Sequence, residues 1–119
     1  MSTKLEQAET VNLSGVSIYI FHSDSSVSTG CLRLDTGSSL DKHNRPVEEW
    51  LVQIEGESAV KLFNGDEVEE EVVMKRGDSL KILANQYHQH TNIGNQESLS
   101  SWHFDGDITT LISKLRGLS

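Results

Sequence analysis

Residues 37–56 read GSSLDKHNRPVEEWLVQIEG, and this stretch decides the fold. It opens and closes on glycine. Between the two, His43, Arg45 and Glu49 stand at intervals of five, one and three residues, and six more lead to Gly56. A second stretch, residues 77–92, reads GDSLKILANQYHQHTN. It places Gly77, Leu83, Asn85, His88 and Asn92 at intervals of five, one, two and three. On an extended chain residues two apart point the same way. His43 and Arg45 therefore share a face if their segment is a strand, as do His88 and His90. Glu49 has matching parity at the start of the next apolar run, and its neighbour Glu48 faces outward. Glycines at the edges permit tight turns between strands.

Outward from these stretches the apolar residues come in short bursts: Val16 to Phe21, Cys31 to Leu34, Trp50 to Ile54, Ala59 to Phe63, Glu67 to Met74, Ser79 to Leu83, Tyr87 to Ile93 and Leu99 to Phe104. Asn64-Gly65 lies between two of them and is a hairpin signal. Many short strands separated by Gly, Asn and Asp indicate a sandwich or closed barrel. The first dozen residues are polar and irregular, and the sequence leaves open whether the first fifteen add an edge strand, swap between subunits or stay loose. The tail changes period: Ile108, Leu111, Ile112 and Leu115 recur at helical spacing, with Asp107 as start and Gly117 as stop. A short amphipathic helix over about 107–117 is expected, packed on the sheet structure. The acidic run Asp66 to Glu71 reads as a solvated hairpin.

The two stretches resemble the paired motifs of the cupins, G-x5-H-x-H-x3,4-E-x6-G and G-x5-P-x-G-x2-H-x3-N. Gly37, His43, Glu49, Gly56, Gly77, His88 and Asn92 keep the family residue at every spacing. The resemblance implies a single all-β domain over residues 1–119, an antiparallel jelly-roll β-barrel with a short C-terminal α-helix. It also implies a metal held inside the barrel by three His and one Glu, and assembly as a homodimer. Three positions depart. Leu83 and Asn85 replace Pro and Gly in a turn, where Asn tolerates left-handed backbone better than most residues. Arg45 stands where the family has its second His.

His43, Glu49 and His88 are the expected metal ligands. Two imidazoles and a carboxylate suit a divalent transition metal, iron, manganese, nickel or zinc, with open positions for a substrate. Arg45 cannot ligate, because it stays protonated and offers no lone pair. Two roles are open to it: gripping an anionic substrate bidentately, or pairing with Glu49 and filling the site without metal. His90 could replace the missing ligand, move a proton, or be an ordinary interior residue. Arg45 and His90 are thus the candidate catalytic residues. Trp50 has opposite parity to Glu49 and is a candidate for contact between subunits. Trp102 and Tyr87 are expected to pack, Cys31 to be small and buried. His103 is expected to be structural or exposed, and His22 has no role.

The formal charge of −8 at pH 7 argues against nucleic acid and anionic membrane as partners. One cysteine excludes an internal disulfide. The first residues lack the layout of a signal peptide, and no apolar run reaches the length of a membrane span. The expectation is a cytoplasmic protein. It is read as a metal-dependent enzyme for a small polar or anionic metabolite, dioxygenase- or isomerase-like. The alternative is a non-catalytic, metal-free binding module for a small ligand.

Overall fold

The computed structural model describes residues 5–118. After a 3-10 turn at Leu5–Gln7 come ten strands: β1 (Glu9–Leu13), β2 (Val16–Ser23), β3 (Ser28–Leu34), β4 (Ser39–His43), β5 (Glu49–Glu55), β6 (Ser58–Asn64), β7 (Glu67–Met74), β8 (Ser79–Ile82), β9 (His88–Asn92) and β10 (Ser98–Phe104). One helix, α1 (Thr109–Leu118), ends the chain. The strands form two antiparallel sheets. The larger runs β1-β2-β3-β10-β5-β8, and the smaller runs β4-β9-β6-β7.

Alternation sets which side chains face inward. Along β10, Ser98, Ser100, Trp102 and Phe104 are buried, and Leu99, Ser101 and His103 are less so. Along β5, Glu49, Leu51 and Gln53 are buried, and Trp50, Val52 and Ile54 are exposed. The core draws on both sheets: Ile18, Leu32 and Leu51 meet Val60, Leu62 and Met74. Gln53 is buried without cost, because it donates to Ser98 Oγ and Glu55 O and accepts from Ser58 Oγ, all within 2.9 Å.

Of the arrangements open to the N-terminal stretch, residues 9–13 take that of an edge strand, β1, paired with β2 from Glu9↔Ile20 to Leu13↔Val16. Val11 is buried and Leu13 packs half-buried against the core, two apolar positions in a polar stretch that otherwise reads as irregular. The helix starts two residues later than Asp107, which sits ahead of it and accepts from Thr109 N and Oγ1. Ile108 and Ile112 are buried, and Arg116 ties the last turn to β1 by two bonds to Glu9. No helix of the described residues is long and apolar enough to cross a membrane.

Tyr87 does not pack as expected. It is 46% exposed, with the Lys42 ammonium over its ring. Cys31 is buried as expected. Glu48 faces out, and Lys81 pairs with it at 3.2 Å.

Candidate metal centre

The two quoted stretches meet inside the molecule. Antiparallel pairing of β4 with β9 sets His43 directly opposite His88. The register slips between Leu40↔His90 and His43↔His88: three steps on β4 match two on β9. This extra residue is a β-bulge, and it turns His43 to the same interior side as Leu40. Strand β9 points His88, His90 and Asn92 inward. Glu49 arrives from the other sheet, at the start of β5, opposite Phe104 and Ile82.

The loops that carry the motifs clasp each other. Asn85 N donates to Arg45 O at 2.7 Å, and Asn44 Nδ2 reaches Asn85 O at 3.4 Å. Asn85 holds φ at +65°, and it is the one non-glycine with positive φ among the described residues. An asparagine accepts that conformation more readily than most residues. Asn92 acts at a distance from the site: its Nδ2 donates to Leu34 O and Gln96 O, and its Oδ1 accepts from Gly94 N.

Three imidazoles converge. The rings of His43 and His88 have centroids 4.2 Å apart, those of His88 and His90 5.1 Å, and those of His43 and His90 5.6 Å. One ring nitrogen from each lies within 4.8 Å of the others. Two of the rings are oriented from behind. His43 Nδ1 donates to Asp41 O at 2.6 Å, and His88 Nδ1 donates to Gln86 O at 3.0 Å. Those bonds fix the tautomers and leave Nε2 with a lone pair, as in histidines that ligate metals.

Glu49 Oε1 lies 3.3 Å from His88 Nε2. Both atoms are buried, and neither has a hydrogen-bond partner. Burying an acceptor beside a second unsatisfied acceptor is costly. A divalent cation between them would satisfy both, so the donor set fits a metal ion. His90, at 3% exposure, adds the third imidazole that the Arg45 position does not supply.

Burial holds His43 in the neutral form, with the charge of Arg45 acting the same way, and its pKa falls to about 3. His90 is pushed well below its ordinary value, first by burial, with the charge of Arg45 acting the same way. Both imidazoles are therefore in the ligating form at neutral pH. Arg45 does not lie on β4: the strand ends at His43, and Arg45 belongs to the loop before β5. It still faces the interior space. Its Nη1 donates to Asn44 O at 3.2 Å, and it makes no ion pair with Glu49 among the described residues. Burial lowers its pKa and the Glu49 charge opposes that, so it remains a cation.

Beside these groups is a void of about 40 Å³, room for about three water molecules. His43, Arg45, Glu49 and His90 form its polar end. Trp102, buried as expected, lines the apolar part. His103 lies outside, 44% exposed and donating to Asp105 at 2.6 Å. His22 is likewise exposed, against Asp24. Glu49, His43 and His88 were legible as neighbours from motif spacing. The inward turn of His43 was not, because a bulge leaves no mark in a polar segment such as Asp41-Lys42.

A family model for the cupin domain matches residues 31–100. Among solved structures, an RmlC-like cupin from Shewanella frigidimarina superposes with a TM-score of 0.76 at 15% identity, covering 92% of this chain and 93% of that one. An oxalate oxidase gives 0.74 at 20% identity over 89% of this chain. Oxalate decarboxylase from Bacillus subtilis gives 0.77 at 22% identity over 87%. The chain spans 59% of that oxidase and 28% of that decarboxylase. At these identities the likeness is one of fold. No curated protein matches the sequence.

Proposed function

Because the chain belongs to the cupin domain family, we propose that it is a metal-dependent enzyme acting on a small anionic metabolite, with the metal at His43, Glu49, His88 and His90. The observation that carries this reading is the buried, unpartnered pair Glu49 Oε1 and His88 Nε2, set among three imidazoles whose nitrogens lie within 4.8 Å of one another. The B. subtilis oxalate decarboxylase has Mn(II) centres, which supports a divalent transition metal here, manganese or iron before nickel or zinc.

When bound, the ion would supply Lewis-acid polarisation or oxygen activation. The chain's own residues do the rest. His43 and His88 present Nε2 because Asp41 O and Gln86 O hold their Nδ1 protons. His90 takes the ligand place that Arg45 cannot fill, rather than moving a proton. Among the described residues the Arg45 guanidinium makes one hydrogen bond, to Asn44 O, so most of its N–H groups remain for a carboxylate. Its position at the polar end of the void orients that carboxylate beside the ligands. The apolar surroundings exclude water and strengthen the charge pairing. The six- and four-stranded sheets and α1 together make one domain in this reading. The exposed row Trp50, Val52 and Ile54 supports the homodimer expected from sequence.

The test is metal-stripped protein reloaded separately with Mn²⁺, Fe²⁺, Ni²⁺ or Zn²⁺. Each form is offered small carboxylic and 2-oxo acids, with dioxygen uptake followed by electrode and carbon-bound proton exchange by NMR. Turnover with one metal is expected, lost in His88→Ala and at least tenfold lower in Arg45→Leu. Turnover that survives stripping, or that is the same in His88→Ala, would contradict the reading.

A further inference from the structure

The void beside the candidate metal centre has a one-sided character. Its polar end consists of His43, Arg45, Glu49 and His90. Every other wall is apolar: Leu51, Trp102 and Phe104 from the strands, with Leu111, Ile112 and Leu115 from α1 among them. Helix α1 therefore does more than cover the sheet. Its apolar face roofs the space, and Ile112 is buried beneath it. Arg116 and Glu9 fix the roof to the edge strand. Gly106 sets its position, since a Cβ there would fall 2.6 Å from Val47 Cγ1 on the β4–β5 loop.

Apart from Arg45, no cation lines the space. A ligand with one carboxylate can place it on Arg45 and the site beside it. A second carboxylate, directed away from Arg45, would lie against Trp102, Phe104 and Leu111 with nothing to pair with. An unpaired buried charge is strongly disfavoured. In a void of about 40 Å³, an apolar body of one or two carbons fits the same walls and gains from leaving water.

We infer that the site selects short monocarboxylates bearing an apolar body, and discriminates against dicarboxylates long enough to carry their second charge to the apolar wall. The inference rests on the proposed metal–Arg45 reading for the anionic end, and on the α1 roof for the rest.

The test uses the whole chain in two forms, metal-stripped and Zn²⁺-loaded. Acetate, propanoate, butanoate and succinate are titrated into each and followed by protein NMR shifts. Affinity is expected to rise about fourfold from acetate to propanoate and to gain nothing further at butanoate, which overfills the void of about 40 Å³. Succinate, with its second charge, is expected to bind at least tenfold more weakly than butanoate. In Leu111→Asn the gain from acetate to propanoate should fall below twofold. Leu115→Asn, the other half-buried roof position, repeats the measurement if that variant does not fold. A flat series in both forms, or succinate binding as tightly as butanoate, overturns the inference. A slope that persists while both forms bind equally overturns the metal reading and leaves the apolar wall standing. Binding that needs Zn²⁺ but has no slope does the reverse.

Discussion

Consider acidifying the metal-free protein, comparing wild type with His43→Gln. The His43 imidazole has a folded pKa of about 3 against 6.5 for an ordinary histidine, chiefly through burial. Between those values the unfolded chain binds a proton that the folded chain does not. Stability then rises with pH through this window, so the contribution is complete above pH 6.5 and lost as pH falls towards 3. From pH 7.5 to pH 4 the linkage integral for this one group is about 3 kcal/mol. That is a large share of a small domain's total stability. The assay is urea unfolding at both pH values, read by far-UV circular dichroism and Trp fluorescence. Groups away from the imidazole cluster titrate in both proteins and cancel in the difference, and making the same comparison in a His90→Gln background removes the titration of His90, which is coupled to His43. Wild type should lose about 3 kcal/mol more than His43→Gln on acidification. If the two lose the same within about 0.5 kcal/mol, His43 is not held neutral by its surroundings, and the argument that the site presents ligating imidazoles fails.

The remaining predictions concern packing. A Cβ on Gly30 would lie 1.9 Å from Tyr19 O and 2.3 Å from Trp102 Cζ2. Gly30→Ala should therefore cost at least about 3 kcal/mol or prevent folding, read by denaturant melts. Ile112 is 2% exposed, so Ile112→Ala should cost about 2–4 kcal/mol, measured in the same way. Arg116→Ala removes a pair whose side chains are 49% and 44% exposed. Its removal should move the denaturation midpoint only slightly, and that shift should shrink further in high salt.

How the sequence and the structure compare depends on which physical signal each element left. Apart from β4, the strands from Val16 onward were legible because turn residues and β-rich runs alternate cleanly. Strand β4 (Ser39–His43) is largely polar and offered no apolar run, and β1 offered only Val11 and Leu13, too short an alternation to decide between strand and loop. The substitution of Asn for Gly at position 85 was legible, and it is tolerated because asparagine accepts the φ of +65° held there more readily than most residues. At the site, the resemblance to the paired cupin motifs brought His43, Glu49 and His88 together. The parity argument placed Arg45 on a shared strand with His43, whereas the chain leaves β4 at His43 and Arg45 reaches the void from the loop. The same argument could not give His43 its inward turn, which depends on the bulge against β9. His90 shared parity with His88 from the outset. What parity could not say was that its ring would stand within 5.6 Å of the other two. The α1 residues at helical spacing were read as packing, and the packing surface proved to include the roof of the void. A period of 3.6 shows which face is apolar, not whether that face meets solid core or a space.

The central claim is that His43, Glu49, His88 and His90 hold a divalent metal despite Arg45. Elemental mass spectrometry on untagged protein, purified without chelator, tests it most directly. The account predicts close to one manganese, iron, nickel or zinc per chain in wild type and a near-complete loss in His88→Ala, with the variant still folded. Wild-type protein that carries no metal and takes up none on loading would contradict it.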